Sequence, residues 1–248
     1  MPRYRLLIEY DGSDLAGWQI QDNQPTVQGV LEKSIHGLHG VHCRVFGAGR
    51  TDAGVHAMGQ VAHVDLPRTW DPFLLGTAIN GTVRPHKISV LDVAEVPETF
   101  HARFSATRRR YLYRILNRRA PTALDSGKVW HVPIHLDSEA MHVAAQTLVG
   151  HHDFSTFRSI RCQALSPVKT LDALNVSRYG EDVEIEAVSR SFLHNQVRSM
   201  VGTLKLVGDG KWYISDVQKA LAAKDRKACG VVAPPQGLYL VSVDYETV

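Results

Sequence analysis

Apolar residues recur along the chain at two spacings, and each spacing predicts a different element. Residues 4–10, Tyr4 to Tyr10, form a short apolar and aromatic run closed by Asp11-Gly12, the pattern of a strand ending in a turn. After Pro25-Thr26, Val27, Val30, Leu31, Ile35 and Leu38 fall on one face of a helix. Residues 60–66 alternate between two faces, 72–79 suit a short helix, and 87–96 suit another strand.

The order strand, helix, strand, helix, strand then starts again. Residues 109–117 read as a strand and 137–149 as a capped helix, with Ala140, Met141, Ala144, Ala145, Leu148 and Val149 along one face. Residues 170–188 read as two strands broken at Tyr179-Gly180. A helix over 193–207, a short helix capped at Ser215 and an apolar strand over 237–245 follow. This predicts an α+β fold of two similar halves, residues 1–105 and 106–248, whose strands pair into one mainly antiparallel sheet with helices on one face.

The 248 residues are 44% hydrophobic and 21% charged, ordinary for a globular chain with a sizeable core. The three cysteines, Cys43, Cys162 and Cys229, are odd in number and far apart, which argues against a disulfide framework or a CxxC zinc site and fits a reducing cytoplasm. No export signal and no membrane-spanning run is expected. His131 and His135 have ligand spacing but are separated by Pro133, and the His151-His152-Asp153 triplet lacks further ligands, so no metal is expected.

Two stretches carry candidate chemistry. Between Gly47 and Gly59 four glycines fall within thirteen residues, around Arg50-Thr51-Asp52. Such a backbone takes unusual turns and admits close approach by another molecule. An arginine within reach of an aspartate favours the ionised carboxylate, by roughly one to three pKa units, and an ionised carboxylate serves as nucleophile or base. The dinucleotide fingerprint fails because Asp52 stands where its third glycine belongs. The phosphate-loop pattern fails because Val55 and His56 follow Gly54. From the loop alone, a tight turn with a locally bonded aspartate and a catalytic carboxylate both stay open. The neighbouring Gly17-Trp18-Gln19 segment carries an aromatic that reads more readily as a core lid than as a ligand platform.

The second stretch, from Arg103 to Arg119, holds seven arginines and no acid, against a net charge of only +3 for the whole chain. In its strand, Tyr111, Tyr113 and Ile115 share one face and Arg110, Leu112, Arg114 and Leu116 the other. Arg109, Arg110 and Arg114 beside Tyr111 suit a phosphate track with a stacked base, although Tyr111 taken alone reads as a core tyrosine. Arg198 flanks the apolar face of a helix, facing an anion or snorkelling to water.

YDGSDLAGWQIQ, TVQGVLE, GAGRTDAGVHAMGQVAH, FHARFSA, RRYLY, FLHNQVRSMVG and GLYLVSVDY, in this order, resemble the ordered motifs of the tRNA pseudouridine synthase A family over nearly the whole chain. Ser13, Leu15, Gln196 and Ser199 depart from the pattern. The resemblance implies two RRM-like or ferredoxin-like halves in the pseudouridine synthase fold, and isomerisation of uridines 38, 39 and 40 of the tRNA anticodon stem-loop. It implies Asp52 as the essential nucleophile, or as the group that helps remove a sugar proton. Tyr111 would stack on the base and accept the C5 proton, and Arg198 would pair with the aspartate. Arg50 would assist base extrusion and Leu240 would pack on the base. A cytoplasmic homodimer without cofactor or metal is also implied. The rivals are a non-catalytic RNA-binding protein and a carboxylate-dependent glycoside or nucleoside hydrolase. The latter usually needs a second catalytic acid that the chain does not display.

Overall fold

The structure is a computed structural model, and it describes residues 1–246. In chain order the elements are β1 (Arg3–Tyr10), α1 (Val27–His39), β2 (Val45–Gly47), β3 (His56–Asp65), α2 (Pro72–Thr82), β4 (Ile88–Val96), β5 (Ala106–Leu116), β6 (Trp130–His131), α3 (Ser138–Gln146), β7 (Gly150–Asp153), β8 (Val168–Tyr179), β9 (Asp182–Ser189), α4 (Gln196–Gly208), α5 (Ile214–Ala223) and β10 (Leu238–Tyr245). Ten strands, paired mostly antiparallel, and five α-helices among the described residues make the expected α+β class.

The chain divides into two compact units. The first is residues 1–107 together with the carboxy-terminal strand from Tyr239 onward, and the second is residues 108–238. The division falls between Thr107 and Arg108, and the last strand groups with the first unit. The reason is backbone pairing: Tyr239 and Leu240 run parallel to His56 and Ala57 of β3. That approach requires Gly59, because a β-carbon there would collide with the Val241 carbonyl.

In the first unit the strand order is β4-β1-β3-β10, with β2 on the other part of β3. Tyr4, Leu6 and Ile8 of β1 are fully buried, as are Leu31 and Ile35 of α1 and Leu75 and Ile79 of α2. The apolar run predicted for β1 and the helical stripe predicted for α1 therefore meet in one core. Thr26 caps α1, its hydroxyl accepting from Gly29 N at 3.2 Å, and Asp71 caps α2 before Pro72.

In the second unit β5-β9-β8-β7 run antiparallel, and β6 lies parallel to β5. Tyr113, Ile115, Leu174, Ile185, Met141, Met200 and Leu204 are buried completely. Two helix starts differ from expectation. Helix α4 begins at Gln196, because Gln196 turns its amide oxygen back onto Leu193 N at 2.9 Å and Asn195 takes a left-handed φ of 64°. Helix α5 begins at Ile214 rather than after Ser215, since Asp216 reaches back to the Tyr213 amide at 2.9 Å. The short strands β2 and β7 went unread, being too brief to show a period.

Candidate active site

The Arg50-Thr51-Asp52 segment lies in the loop between β2 and β3, and its immobilisation comes from the first motif of the chain. Gly12 and Gly17 bring the backbone of residues 11–18 against it. A β-carbon on Gly17 would sit 2.5 Å from the Thr51 carbonyl, and one on Gly12 would overlap the Val55 carbonyl. The gap left by the missing side chains admits backbone hydrogen bonds: Trp18 N donates to Thr51 O at 3.0 Å and Gly54 N to Leu15 O at 3.4 Å. Val55 N closes the turn onto Asp52 O at 3.1 Å, with Gly54 at φ 77°.

Three buried polar side chains complete the frame. Tyr10 Oη and Thr51 Oγ1 are hydrogen-bonded at 2.8 Å. His56 Nδ1 accepts from Gly12 N at 3.1 Å, and its ring stacks on Tyr239 at 4.7 Å. Gln60, wholly buried, receives Gly49 N at 3.3 Å and donates to Gly49 O at 2.9 Å. Trp18 is 3% exposed and fills the space a β-carbon on Gly47 would need, so it is the core lid. Within this cage Thr51 is buried, Asp52 is half-buried and Arg50 is exposed. Leu240 is fully buried, in register with Ala57 at the start of β3.

The second unit holds the other expected residues. Tyr111 is buried, with an edge-to-face contact to Phe192 at 5.2 Å. Arg198 is fixed from two sides. Its Nε donates to Ala233 O at 2.8 Å, its Nη1 to Asn195 Oδ1 at 3.3 Å, and Ala233 N returns a bond to Arg198 O. The segment 230–234 lies close to α4 because Gly202 offers no β-carbon against the Val231 carbonyl. Tyr113 donates its hydroxyl to Pro234 O at 2.7 Å, and burial pushes its phenol well above the ordinary range despite the opposing effect of the Arg198 charge.

The arginine strand is less open than its sequence suggests. Arg109 is buried, and its guanidinium donates to the Arg190 carbonyl. Arg110 pairs with Glu186 at 2.6 Å, and Arg114 lies 3.9 Å from both Asp125 and Asp182. A strand without acids of its own receives them from β9 across the ladder and from the 117–129 loop. His131 Nε2 contacts the Arg118 carbonyl oxygen at 2.8 Å, and His152 Nε2 contacts that of Val149 at 3.0 Å. Among the described residues no group of three or more His, Cys, Asp or Glu side chains is placed to hold a metal ion, and no helix is long and apolar enough to cross a membrane.

Sequence reasoning passed over Tyr10, His56 and Gln60. Their signal was polar residues at buried positions of otherwise apolar strands, which demand a partner once folded.

The α+β scaffold thus holds one carboxylate in a glycine-rich loop of its first unit, and a buried tyrosine and a clamped arginine in its second. The family model described as tRNA pseudouridine synthase matches residues 6–105 and 144–246. The tRNA pseudouridine synthase A of Parvibaculum lavamentivorans is 61% identical over 99% of this chain and 100% of its own length. Those of Sinorhizobium fredii and Rhizobium meliloti are each 60% identical over 99% of this chain and 100% of theirs. The chain therefore belongs to the tRNA pseudouridine synthase family, and its activity is the isomerisation of uridine in tRNA. Both rival readings, the RNA-binding protein without chemistry and the glycoside or nucleoside hydrolase, are set aside.

Proposed function

We propose that the protein converts the uridines at positions 38, 39 and 40 of the tRNA anticodon stem-loop to pseudouridine, with Asp52 as the essential carboxylate. The observation that carries this reading is the cage around the loop: Gly49, Thr51, Gly54 and Val55 on either side of Asp52 are held by backbone or buried side-chain hydrogen bonds, while Asp52 itself is half-buried. Preorganisation of this kind places a nucleophile without a reorganisation cost at the moment of reaction.

The reaction is balanced within the substrate. The C1′–N1 bond breaks, the base turns, a C1′–C5 bond forms, and the proton on C5 leaves as N1 gains one. No electrons pass to an acceptor, so neither a redox cofactor nor a nucleotide is required. In this scheme Asp52 attacks C1′ as glycosidase carboxylates do, or assists loss of a sugar proton. Tyr111 stacks on the base and receives the C5 proton, and Arg198 pairs with Asp52. Arg50 assists extrusion of the base, and Leu240, fully buried beside β3, supports the site from within the core. Arg110 and Arg114 contribute to the electrostatic field that attracts the backbone. Arg109 acts one step removed, shaping the strand that carries Tyr111. Base extrusion costs a few kcal/mol, offset by stacking and phosphate contacts. The active form is taken to be a cytoplasmic homodimer.

The test is tRNA tritiated at uridine C5, incubated with wild type and Asp52→Ala while binding is followed separately. Wild type should release tritium, with pseudouridine mapping to positions 38–40. Asp52→Ala should bind but lose at least about a thousandfold in rate, as loss of a covalent catalyst does. Pseudouridine only outside the anticodon stem-loop, or an active Asp52→Ala enzyme, would overturn the reading. Sedimentation at micromolar concentration should give twice the chain mass.

A further inference from the structure

Away from the Asp52 loop, the first unit carries a second aromatic assembly. Phe46 of β2 and His63 of β3 are in register across the ladder and stack at 5.0 Å with 13° between planes. His63 continues to His101 at 4.6 Å, and His101 to Phe104 at 4.4 Å. An arginine stands at each end: the Arg44 guanidinium lies 5.3 Å from the Phe46 centroid and that of Arg103 lies 5.7 Å from Phe104. The inner rings are buried or half-buried, yet Phe104 is 71% exposed and Phe46 37%.

This exposure is held in place by the fold. Ala102 N donates to His63 Nδ1 and Arg103 N to His101 Nδ1, both at 3.1 Å, and His101 N donates to Ser105 Oγ at 3.0 Å. Tyr245 Oη donates to Ala102 O at 2.7 Å, and Arg3 donates to the Phe100 carbonyl. Because each imidazole accepts a backbone N–H, each is neutral, and the exposed ring faces carry an arginine at each end, Arg44 and Arg103. Burial lowers both imidazole pKa values, that of His63 to about 4. An exposed phenylalanine on so rigid a turn gains nothing from solvent, whereas ring faces beside guanidinium groups match an unpaired base flanked by phosphates.

We propose that Phe104 and Phe46, bracketed by Arg103 and Arg44, form a stacking subsite for an unpaired nucleotide of the tRNA substrate, apart from the uridine being isomerised. The subsite rests on the tRNA reading above and adds a place where RNA is held. Stacking on a single aromatic ring is lost on truncation to alanine at about tenfold or more in affinity.

The experiment measures binding of a fluorescent full-length tRNA transcript, KM and kcat for pseudouridine formation, thermal midpoint and sedimentation for wild type, Phe104→Ala, Phe104→Leu, Phe104→Trp and Arg44→Ala. Phe104→Ala and Phe104→Leu should weaken tRNA binding and raise KM about tenfold with kcat and thermal midpoint unchanged, and Phe104→Trp should restore both. Arg44→Ala should lower the slope of log affinity against log salt by about one. Unchanged affinity in Phe104→Ala, or equal behaviour of Leu and Trp, overturns the proposal. A shift in self-association with unchanged tRNA affinity also overturns it and makes the patch an interface between copies. If wild type binds tRNA but makes no pseudouridine at 38–40, the proposed target fails while the binding comparison still reports on Phe104.

Discussion

Gly12 and Val55 lie so close that a β-carbon at position 12 would overlap the Val55 carbonyl oxygen. The two residues belong to separate motifs, and their contact seats the first motif on the Asp52 loop. Gly12→Ala should therefore cost about 1–3 kcal/mol of stability, as overpacking does, and lower the isomerisation rate at least tenfold. Gly37→Ala is the control, because nothing lies within 4 Å of a β-carbon there and alanine is the better helix former by about 1 kcal/mol. Thermal unfolding and tritium release on both variants check the pair. Equal, neutral behaviour would show that the close approach is not needed.

Gln60 satisfies both the N–H and the carbonyl of Gly49, next to Arg50. Gln60→Leu should leave both groups without their partner at a cost of about 2 kcal/mol, and Gln60→Glu should keep the acceptor but lose the donor. Both should reduce kcat more than they raise KM, since the loop loses its geometry while the exposed arginines stay in place. Steady-state kinetics would separate the two parameters.

Acid sensitivity has a definite sign. His63 is held neutral down to about pH 4 by burial first, then by the His101 and Arg3 charges, with Asp65 opposing. The unfolded chain takes up that proton from pH 6.5 downward, so it binds more protons than the folded chain across this window. Stability is complete above pH 6.5, falls between 6.5 and 4, and loses at most about 3 kcal/mol from this residue. His101 and His39 shift the same way. The Asp65 carboxyl, held low chiefly by its hydrogen bond from Arg3, loses its contribution only below this window. Urea unfolding at pH 7.0, 5.5 and 4.5 should show a falling midpoint. His63→Gln, which can still accept from Ala102 N, should flatten the fall.

In the second unit Gly202 plays the part that Gly12 plays in the first. Gly202→Ala should push away the segment 230–234, break the Arg198 to Ala233 bond, and cost about 2 kcal/mol or more. If Arg198 serves the reaction, kcat should fall about as far as in Arg198→Ala while tRNA still binds. Full activity in Gly202→Ala would show that the clamp on Arg198 does not matter.

The periodicity of the chain by itself determined the α+β class, both faces of β5, the stripe of α1 and the break at Tyr179-Gly180, because each is set by residues a few positions apart. The Asp52 loop was equally legible, since glycines around an arginine and an aspartate are a local signal. Tertiary structure alone decided that β10 runs beside β3, because that pairing joins residues nearly two hundred positions apart through backbone atoms that carry no side-chain signature. It also decided that Gly12 and Gly17 serve the Asp52 loop, that Gln60 is a buried clamp and not a surface amide, and that Arg109 donates to the Arg190 carbonyl and Arg110 pairs with Glu186. A residue's partner depends on what the chain brings across from elsewhere, and hydrogen-bond satisfaction and close packing are settled only when those distant segments meet.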